Sequence, residues 1–255
     1  MNQKIFISQQ EETSIILDGN FNQNLYSKNL EKSLLLALAI NTKIPDEIKF
    51  MSGMSGRKYR YLINNLVSFT KDPKYLEIGV WAGSTVCSAL YGNRVKAVCI
   101  DNWLKFDTED YVKKTYNTKD QKKEFEINTN KIIDEKIDFK FIESDFRKVD
   151  YNKIGKFNIY CYDALHSQQD QYDGVEIVQP ALEKIFILII DDWNWEEVRL
   201  GAMKGAMKAI NDLKIKIISK IEIRTTQNNS MPKILLGQYS DWHNGYFIAV
   251  CEKFN

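Results

Sequence analysis

The sequence predicts an α/β domain with a mostly parallel sheet and helices on both faces. From Lys74 onward, short β-branched or aromatic runs alternate with helix-like segments, as they do in βαβ units. Several of these runs are apolar throughout, which is typical of internal parallel strands that are covered on both faces. A chain of 255 residues can form one such domain with a full core but is short for two.

Seven of the runs are predicted strands, and the segments between them are predicted helices. The sixth run differs from the others, because lysine or glutamate alternates with isoleucine in it, as in an edge or half-exposed strand. The strands are expected at Tyr75–Ile78, Val95–Ile100, Phe139–Glu143, Phe157–Tyr162, Phe186–Ile190, Ile215–Ile223 and Phe247–Cys251. The helices are expected at about Ser84–Tyr91, Thr108–Ile133, Gln171–Lys184 and Trp195–Leu213.

Residues 1–48 are expected to form a partly helical N-terminal extension, and residues 49–255 the main domain. The apolar run from Leu30 to Ile40 predicts a helix in the extension. The N-terminus carries only a brief apolar patch, unlike a secretory signal, so the cytoplasm is the expected compartment.

The composition of the chain argues against two classes of partner, nucleic acids and membranes. With 35 Lys plus Arg against 34 Asp plus Glu, the net charge of +1 offers no general attraction to nucleic acid. The apolar runs are far shorter than the roughly 20 residues that cross a bilayer, so no membrane partner is expected. The four cysteines are widely spaced in apolar segments, as buried thiols are. A homo-oligomer is compatible with the sequence, which does not decide the oligomeric state.

A glycine-containing turn joins the first predicted strand to the first helix. Gly79 ends the strand and Gly83-Ser84 opens the helix, which places free backbone N–H groups at the carboxyl edge of the sheet, where open α/β sheets bind ligands. The glycine spacing differs from that of a dinucleotide-binding loop. A carboxylate at Glu77 would suit a cationic ligand and repel a diphosphate. A tight turn without a ligand is the alternative.

Polar residues follow the next two predicted strands. Asp101 ends the second strand about twenty residues after Gly79, where a carboxylate can accept both ribose hydroxyls of a nucleoside. Ser144 and Asp145 follow the third strand and could meet an adenine ring. Capping of a short turn would explain that pair equally well.

The loop motif L-E-I-G-x-x-x-G-S-T, with an acid ending strand two, resembles that of class I methyltransferases, which use S-adenosylmethionine (SAM). The resemblance covers roughly residues 51 to 253 and implies a Rossmann-like sheet of strand order 3-2-1-4-5-7-6. It also implies that Asp101 holds the ribose, that Asp145 lies near the adenine, and that the methionine and sugar are lined by Gly79, Trp81, Gly83 and Ser84. The segment Met51–Gly56 resembles the one that closes over SAM in small-molecule O-methyltransferases; an ordinary loop is the alternative.

Three carboxylates are expected to converge at the same edge. Asp163 closes the fourth strand and Asp191-Asp192 the fifth. Oxygen-only ligands are what Mg²⁺ or another hard divalent cation prefers. The arrangement resembles that of the divalent-metal-dependent O-methyltransferases, including catechol O-methyltransferase and the sugar O-methyltransferases of antibiotic pathways. That resemblance implies a small hydroxylated acceptor, such as a sugar, whose hydroxyl is acidified and aimed by the metal at the SAM methyl group.

His166 is the candidate general base beside Asp163, since an imidazole titrates near neutral pH. It lies three residues after Asp163, where catechol O-methyltransferase carries a lysine base. Ala164 and Leu165 depart from the small or acidic residues usual there. A surface histidine, and Asp191-Asp192 as a helix cap, remain the alternatives without chemistry.

Aromatic residues near this edge could stack on a substrate, although packing is the favoured role of each tryptophan. They are Trp103, Trp193, Trp195 and Trp242, and His243 follows the last of them in a polar loop. Two other functions stay open: a catalytically silent SAM-binding or interaction protein, and a hydroxylase-like relative on the same fold. An NAD-dependent oxidoreductase is disfavoured by the glycine spacing and by Glu77.

Overall fold

A computed structural model describes residues 4–8, 13–104, 120–194, 199–200, 204–224 and 237–254. The described residues form one sheet of nine strands in the order β1-β2-β8-β9-β7-β6-β3-β4-β5. In chain order the strands are Lys4–Ser8, Thr13–Gly19, Lys74–Ile78, Val95–Asp101, Ile137–Glu143, Phe157–Tyr162, Leu182–Ile190, Ile215–Arg224 and Tyr246–Lys253.

The fold class and strand order are confirmed. Strands β3 to β7 are mutually parallel, and β9 lies antiparallel between β7 and β8. When only the seven predicted strands are counted, this is the order 3-2-1-4-5-7-6. The strand count of seven is wrong, because the N-terminal segment adds β1 and β2 in antiparallel pairing.

Of the two alternatives for the sixth predicted strand, β8, the half-exposed strand is confirmed and the edge position is wrong. Strand β2 pairs along it with Ile15 opposite Ile223, so β8 is internal to the sheet. The alternation of isoleucine with charged residues does correspond to alternating burial along β8. Periodicity reports the exposure of the two faces of a strand and says nothing about its lateral neighbours, which explains the error.

Seven α-helices lie among the described residues. Helix α3, Arg57–Phe69, was not predicted, and it follows Met51–Gly56 directly. The predicted helix Gln171–Lys184 is wrong in its second half, because Leu182 already pairs with Phe157 in the sheet. The predicted helices Thr108–Ile133 and Trp195–Leu213 lie partly outside the described residues. In chain order the helices are α1 Leu25–Leu38, α2 Asp46–Lys49, α3 Arg57–Phe69, α4 Ser84–Leu90, α5 Gln121–Ile132, α6 Gln168–Glu176 and α7 Ala206–Asp212.

The sheet has an apolar core on each face. Helices α1, α3, α4 and α5 contribute to one core, and α6 and α7 to the other. Ile15 and Leu34 belong to the first core together with Leu62 of α3, so the N-terminal segment shares the core of the remaining chain. The four cysteines are buried free thiols, as expected. Across the described ranges, every helix is too short or too polar to span a bilayer.

Candidate functional site

The glycine loop lies directly against the end of strand β6. Gly79 and Gly83 have φ of +82° and +86°, which favour glycine. A Cβ at Gly79 would lie 1.8 Å from the carbonyl oxygen of Asp163, so the close approach also requires glycine. The backbone N–H of Asp163 donates to Ile78 at 2.9 Å. The predicted cofactor loop and the predicted acidic cluster are therefore neighbours.

Asp101 is occupied in holding this loop. Its Oδ2 accepts from the backbone N–H of Val80 at 2.8 Å and of Trp81 at 3.3 Å, and its Oδ1 accepts from Trp103 N at 2.8 Å. Trp81 has φ of +42°, and these two bonds help hold that conformation. A carboxylate has about four lone-pair sites, so Asp101 retains acceptor capacity. Its contact with ribose stays a prediction.

Glu77 lies beneath the loop, with no exposed surface. Its Oε2 accepts a hydrogen bond from the Tyr75 hydroxyl. Burial, together with the charges of Asp163 and Asp101, holds the pKa of Glu77 well above its usual range, against the lowering effect of Tyr75. The structure therefore does not bring Glu77 to the surface of the site, and its contact with a ligand stays a prediction.

The segment Met51–Gly56 packs against the start of α4. The hydroxyl of Ser55 is hydrogen-bonded to that of Ser84 at 2.9 Å, and both residues are buried. A Cβ at Gly53 would lie 2.2 Å from Ser84 Oγ. At Gly53, glycine thus permits close packing of the segment against α4. Its closing over SAM stays a prediction. Whether Ser84 contacts a cofactor stays a prediction.

Asp145 takes the capping role that the sequence left open for Ser144 and Asp145. Asp145 Oδ1 accepts from Arg147 N at 3.0 Å at the start of a short 3₁₀ turn, and Ser144 Oγ donates to the carbonyl oxygen of Asp145 at 3.1 Å. Both residues are half-buried. A contact of either with adenine stays a prediction.

The acidic residues converge as expected. Asp163, Asp191 and Asp192 each offer an oxygen, and these oxygens lie within 4.8 Å of one another. Asp191 is 6% exposed, and its Oδ1 has no hydrogen-bond partner among the described residues. A buried carboxylate oxygen without a donor is costly unless a ligand completes it. The donor set of carboxylate oxygens fits a hard divalent cation.

The pKa values follow from this crowding. Burial and the negative charge of Asp192 raise the pKa of Asp163 to about 7. Burial and the charges of both neighbours raise the pKa of Asp191 well above its usual range. Like charges that share a site cannot all ionise cheaply without a counter-charge.

Asp192 differs from the other two because two donors hold it. His166 Nε2 lies 3.0 Å from Asp192 Oδ2, and Asn244 Nδ2 donates to Asp192 Oδ1 at 2.6 Å. Burial raises the pKa of Asp192, but these partners outweigh it and the net direction is downward. Burial lowers the pKa of His166, and the hydrogen bond and charge of Asp192 more than reverse this, so its pKa is raised. His166 is thus part of the cluster, and its role as a base stays a prediction.

The loop before β9 contributes Asn244, which is 3% exposed and whose Oδ1 also has no partner among the described residues. The main chain positions this residue, because Asn194 N donates to the carbonyl oxygen of Asn244 at 2.6 Å. The neighbouring His243 accepts from Gly237 N at 3.0 Å through Nδ1, and burial lowers its pKa to about 4.

The described tryptophans of this set pack against other side chains, which is the role that the sequence favoured for them. Trp242 is fully buried, and Trp193 is 3% exposed, with its ring centroid 4.8 Å from that of Phe247. Trp103 packs among aromatic rings beside α5. Trp195 lies outside the described residues.

Sequence reasoning missed Arg60, a fully buried residue of α3 next to the loop. The available signal was a charged side chain on the same helical face as Ile63 and Val67, which are both in the core. Without a prediction of α3 itself, that face could not be recognised.

No family model matches the chain, and no curated protein matches it either. Among solved structures, the chain is similar to the SAH-bound methyltransferase PaMTH1 of Podospora anserina, with 14% identity over 89% of this chain and 88% of that chain and a TM-score of 0.46. It is similar to an O-methyltransferase from Bacillus cereus in complex with SAH, with 14% identity over 88% and 91% and a TM-score of 0.46. A putative O-methyltransferase from Klebsiella pneumoniae shares 10% identity over 90% and 100%, with a TM-score of 0.48. The fold class of this chain follows from the strand order of its sheet.

Proposed function

We propose that this protein transfers a methyl group from SAM to a hydroxyl oxygen of a small molecule, with a divalent cation held by Asp163, Asp191 and Asp192. One observation carries the proposal: three carboxylates, at least one of them buried with an unpartnered oxygen, lie against a glycine loop at the carboxyl edge of the sheet. We include in the proposal a small hydroxylated acceptor, such as a sugar, and a cytoplasmic location.

In this proposal the loop binds the cofactor. Gly79, Trp81, Gly83 and Ser84 line the methionine and sugar, and Asp101 uses its remaining lone pairs for the ribose. Ser144 and Asp145 lie at the adenine end. Glu77 acts electrostatically from beneath the loop, because a cationic ligand above the loop would favour the ionised form of the Glu77 carboxyl group.

The transfer forms a bond between the acceptor oxygen and the methyl carbon and breaks the bond between that carbon and the sulfur of SAM. The cofactor then leaves as the neutral thioether, SAH. Mg²⁺ or a similar cation, when bound, supplies Lewis-acid activation and orientation of the acceptor hydroxyl. His166 accepts the hydroxyl proton at an imidazole nitrogen, and the hydrogen bond and charge of Asp192, which raise its pKa, strengthen it as a proton acceptor. Asn244 fixes the orientation of Asp192.

A silent SAM-binding protein is the second candidate. The observation that favours it is the engagement of His166 Nε2 with Asp192, which leaves that nitrogen unable to take a proton until the contact is released. Binding of a cofactor without turnover of any acceptor would support this alternative.

The decisive experiment is calorimetric titration of the purified chain with SAM, SAH and NAD, each with and without Mg²⁺. The Asp191→Ala/Asp192→Ala variant is compared with Glu183→Gln, an acid at the opposite edge of the sheet. We expect SAM and SAH to bind, NAD not to bind, and a Mg²⁺ heat that the double variant loses and Glu183→Gln keeps. Absence of SAM binding would refute the proposal. If SAM bound but Mg²⁺ had no effect, methyl transfer would remain the proposed reaction and the metal-assisted mechanism would be refuted.

A further inference from the structure

Arg60 of α3 is fully buried and binds a run of main-chain oxygens. Its Nη1 donates to the carbonyl oxygens of Ile48 at 3.0 Å, Lys49 at 3.1 Å and Met51 at 2.7 Å. The first two carbonyls belong to α2, near its C-terminal end, where a helix favours a positive charge. One guanidinium thus ties the end of α2 and the start of the following segment to α3.

The same side chain reaches the cofactor loop through one hydroxyl. Arg60 Nε donates to Ser55 Oγ at 3.0 Å, and Ser55 Oγ is hydrogen-bonded to Ser84 Oγ at 2.9 Å. Ser84 is the first residue of α4 and directly follows Gly83 of the loop. The contacts therefore form a continuous path from α3 through Ser55 to the loop.

The other end of the segment is held by the loop before β9. Helix α3 has no side-chain N-cap, and the N–H groups of Arg57 and Lys58 donate instead to the carbonyls of Ser240 and Asp241 at 2.8 and 2.9 Å. A Cβ at Gly56 would lie 2.4 Å from the Asp241 oxygen, so this contact is also close-packed. Segment 48–56 is thus held by Arg60 at its start and again at Ser55, and by the loop before β9 where it joins α3.

We infer that Arg60 is a positioning residue for ligand binding: through Ser55 it holds segment 48–56 as a preformed wall against the glycine loop. This inference rests on the proposed function for its ligand, an adenosyl compound. A wall that is already ordered does not have to be ordered by the ligand, which raises affinity. Without the guanidinium, the carbonyls of Ile48, Lys49 and Met51 lose their hydrogen bonds from Arg60, and ligand binding must order the segment.

The test uses Arg60→Met, Arg60→Lys and Ser55→Ala, with two measurements. Hydrogen exchange of peptides covering 48–56 reports the wall itself, and calorimetric titration with SAH reports affinity. The matched control is Asn64→Ala. Asn64 is also fully buried on α3, but it donates to the carbonyls of Ser88 and Tyr91 at the far end of α4.

We expect Arg60→Met to weaken SAH binding about tenfold or more and to speed exchange in 48–56 by a similar factor, since charged hydrogen bonds are lost. Arg60→Lys is expected to restore part of both effects. Ser55→Ala is expected to weaken SAH binding by a smaller factor, because only the path to Ser84 is cut. Asn64→Ala is expected to lower the melting temperature while leaving both readouts at the wild-type level.

Two results would overturn the inference: unchanged exchange and affinity in Arg60→Met, or an equal loss of affinity in Asn64→Ala. If Arg60→Met does not fold, Arg60→Lys and Ser55→Ala decide by the same readouts. Failure of the wild-type chain to bind SAH would refute the proposed function, and the exchange comparison would still test whether Arg60 holds the wall. Normal wild-type binding with unchanged Arg60 variants would refute only the positioning role.

Discussion

The two edges of the sheet handle charge in opposite ways. At the amino edge, a cavity of about 320 Å³ is lined by groups that satisfy one another. Lys74 Nζ lies 2.8 Å from Glu183 Oε1, and Asn158 accepts from Lys74 N at 2.9 Å. At the carboxyl edge, Asp163 and Asp191 share one site, and Asp191 Oδ1 has no partner among the described residues.

This difference teaches that an available cavity is not evidence of chemistry. Opposite charges that are paired and open to solvent cost little and contribute little. Like charges that are crowded together are costly, and such a site is a candidate for a function that offsets the cost. The edge with the less satisfied groups is therefore the better candidate site.

The largest expected effect comes from removing a carboxylate of the cluster. We expect Asp163→Ala to lower methyl transfer by more than about 100-fold, beyond what loss of an outer-shell partner of a metal typically costs. Mn²⁺ titration followed by electron paramagnetic resonance should show the same loss of metal binding. Glu183→Gln at the amino edge should match the wild type in both measurements. Equal losses in Asp163→Ala and Glu183→Gln would contradict the proposed functional difference between the two edges of the sheet.

His166→Gln should lower kcat about 100-fold, the range expected for loss of a general base. KM for the acceptor should change little, because the hydroxyl is still held by the rest of the site. The pH profile of kcat should lose its acidic limb in the variant. An unaltered profile would show that His166 only supports Asp192.

Asn244→Ala should weaken Mn²⁺ binding about tenfold, because Asp192 loses the amide that orients it. Asn158→Ala is the matched control, since the Asn158 amide also donates a hydrogen bond, to the Asp72 carbonyl at 3.2 Å, but at the amino edge. We expect the control to keep wild-type metal affinity. The same weakening in both variants would point to a general loss of stability.

The smallest expected effect is on the pH dependence of the free energy of unfolding. The pKa of Asp163 is raised to about 7 and that of Asp191 is also raised, so the folded state binds more protons than the unfolded chain above the usual carboxyl pKa. Stability without metal should therefore fall as pH rises from 5 to 7, by on the order of 1 kcal/mol. Melting temperatures in EDTA should show this fall, and Mg²⁺ should reduce it. A rise over the same range would contradict the raised pKa values.

Local sequence patterns were enough to predict the strands of the central sheet and the convergence of its three carboxylates. Strands β3 to β9 are apolar or alternating runs, and a carboxylate at the end of a parallel strand must lie at the carboxyl edge. Asp163, Asp191 and Asp192 could therefore be placed together from the sequence. The order of the strands followed from the family resemblance.

Contacts between distant segments could not be predicted in this way. The pairing of β2 with β8, the burial of Glu77 beneath the loop and the engagement of Asp101 with backbone N–H groups depend on which segments meet in space. Arg60 shows this most clearly, because its partners are carbonyl oxygens, which every residue carries. Hydropathy periods report which face of an element is buried, whereas only the tertiary structure decides what that face contacts.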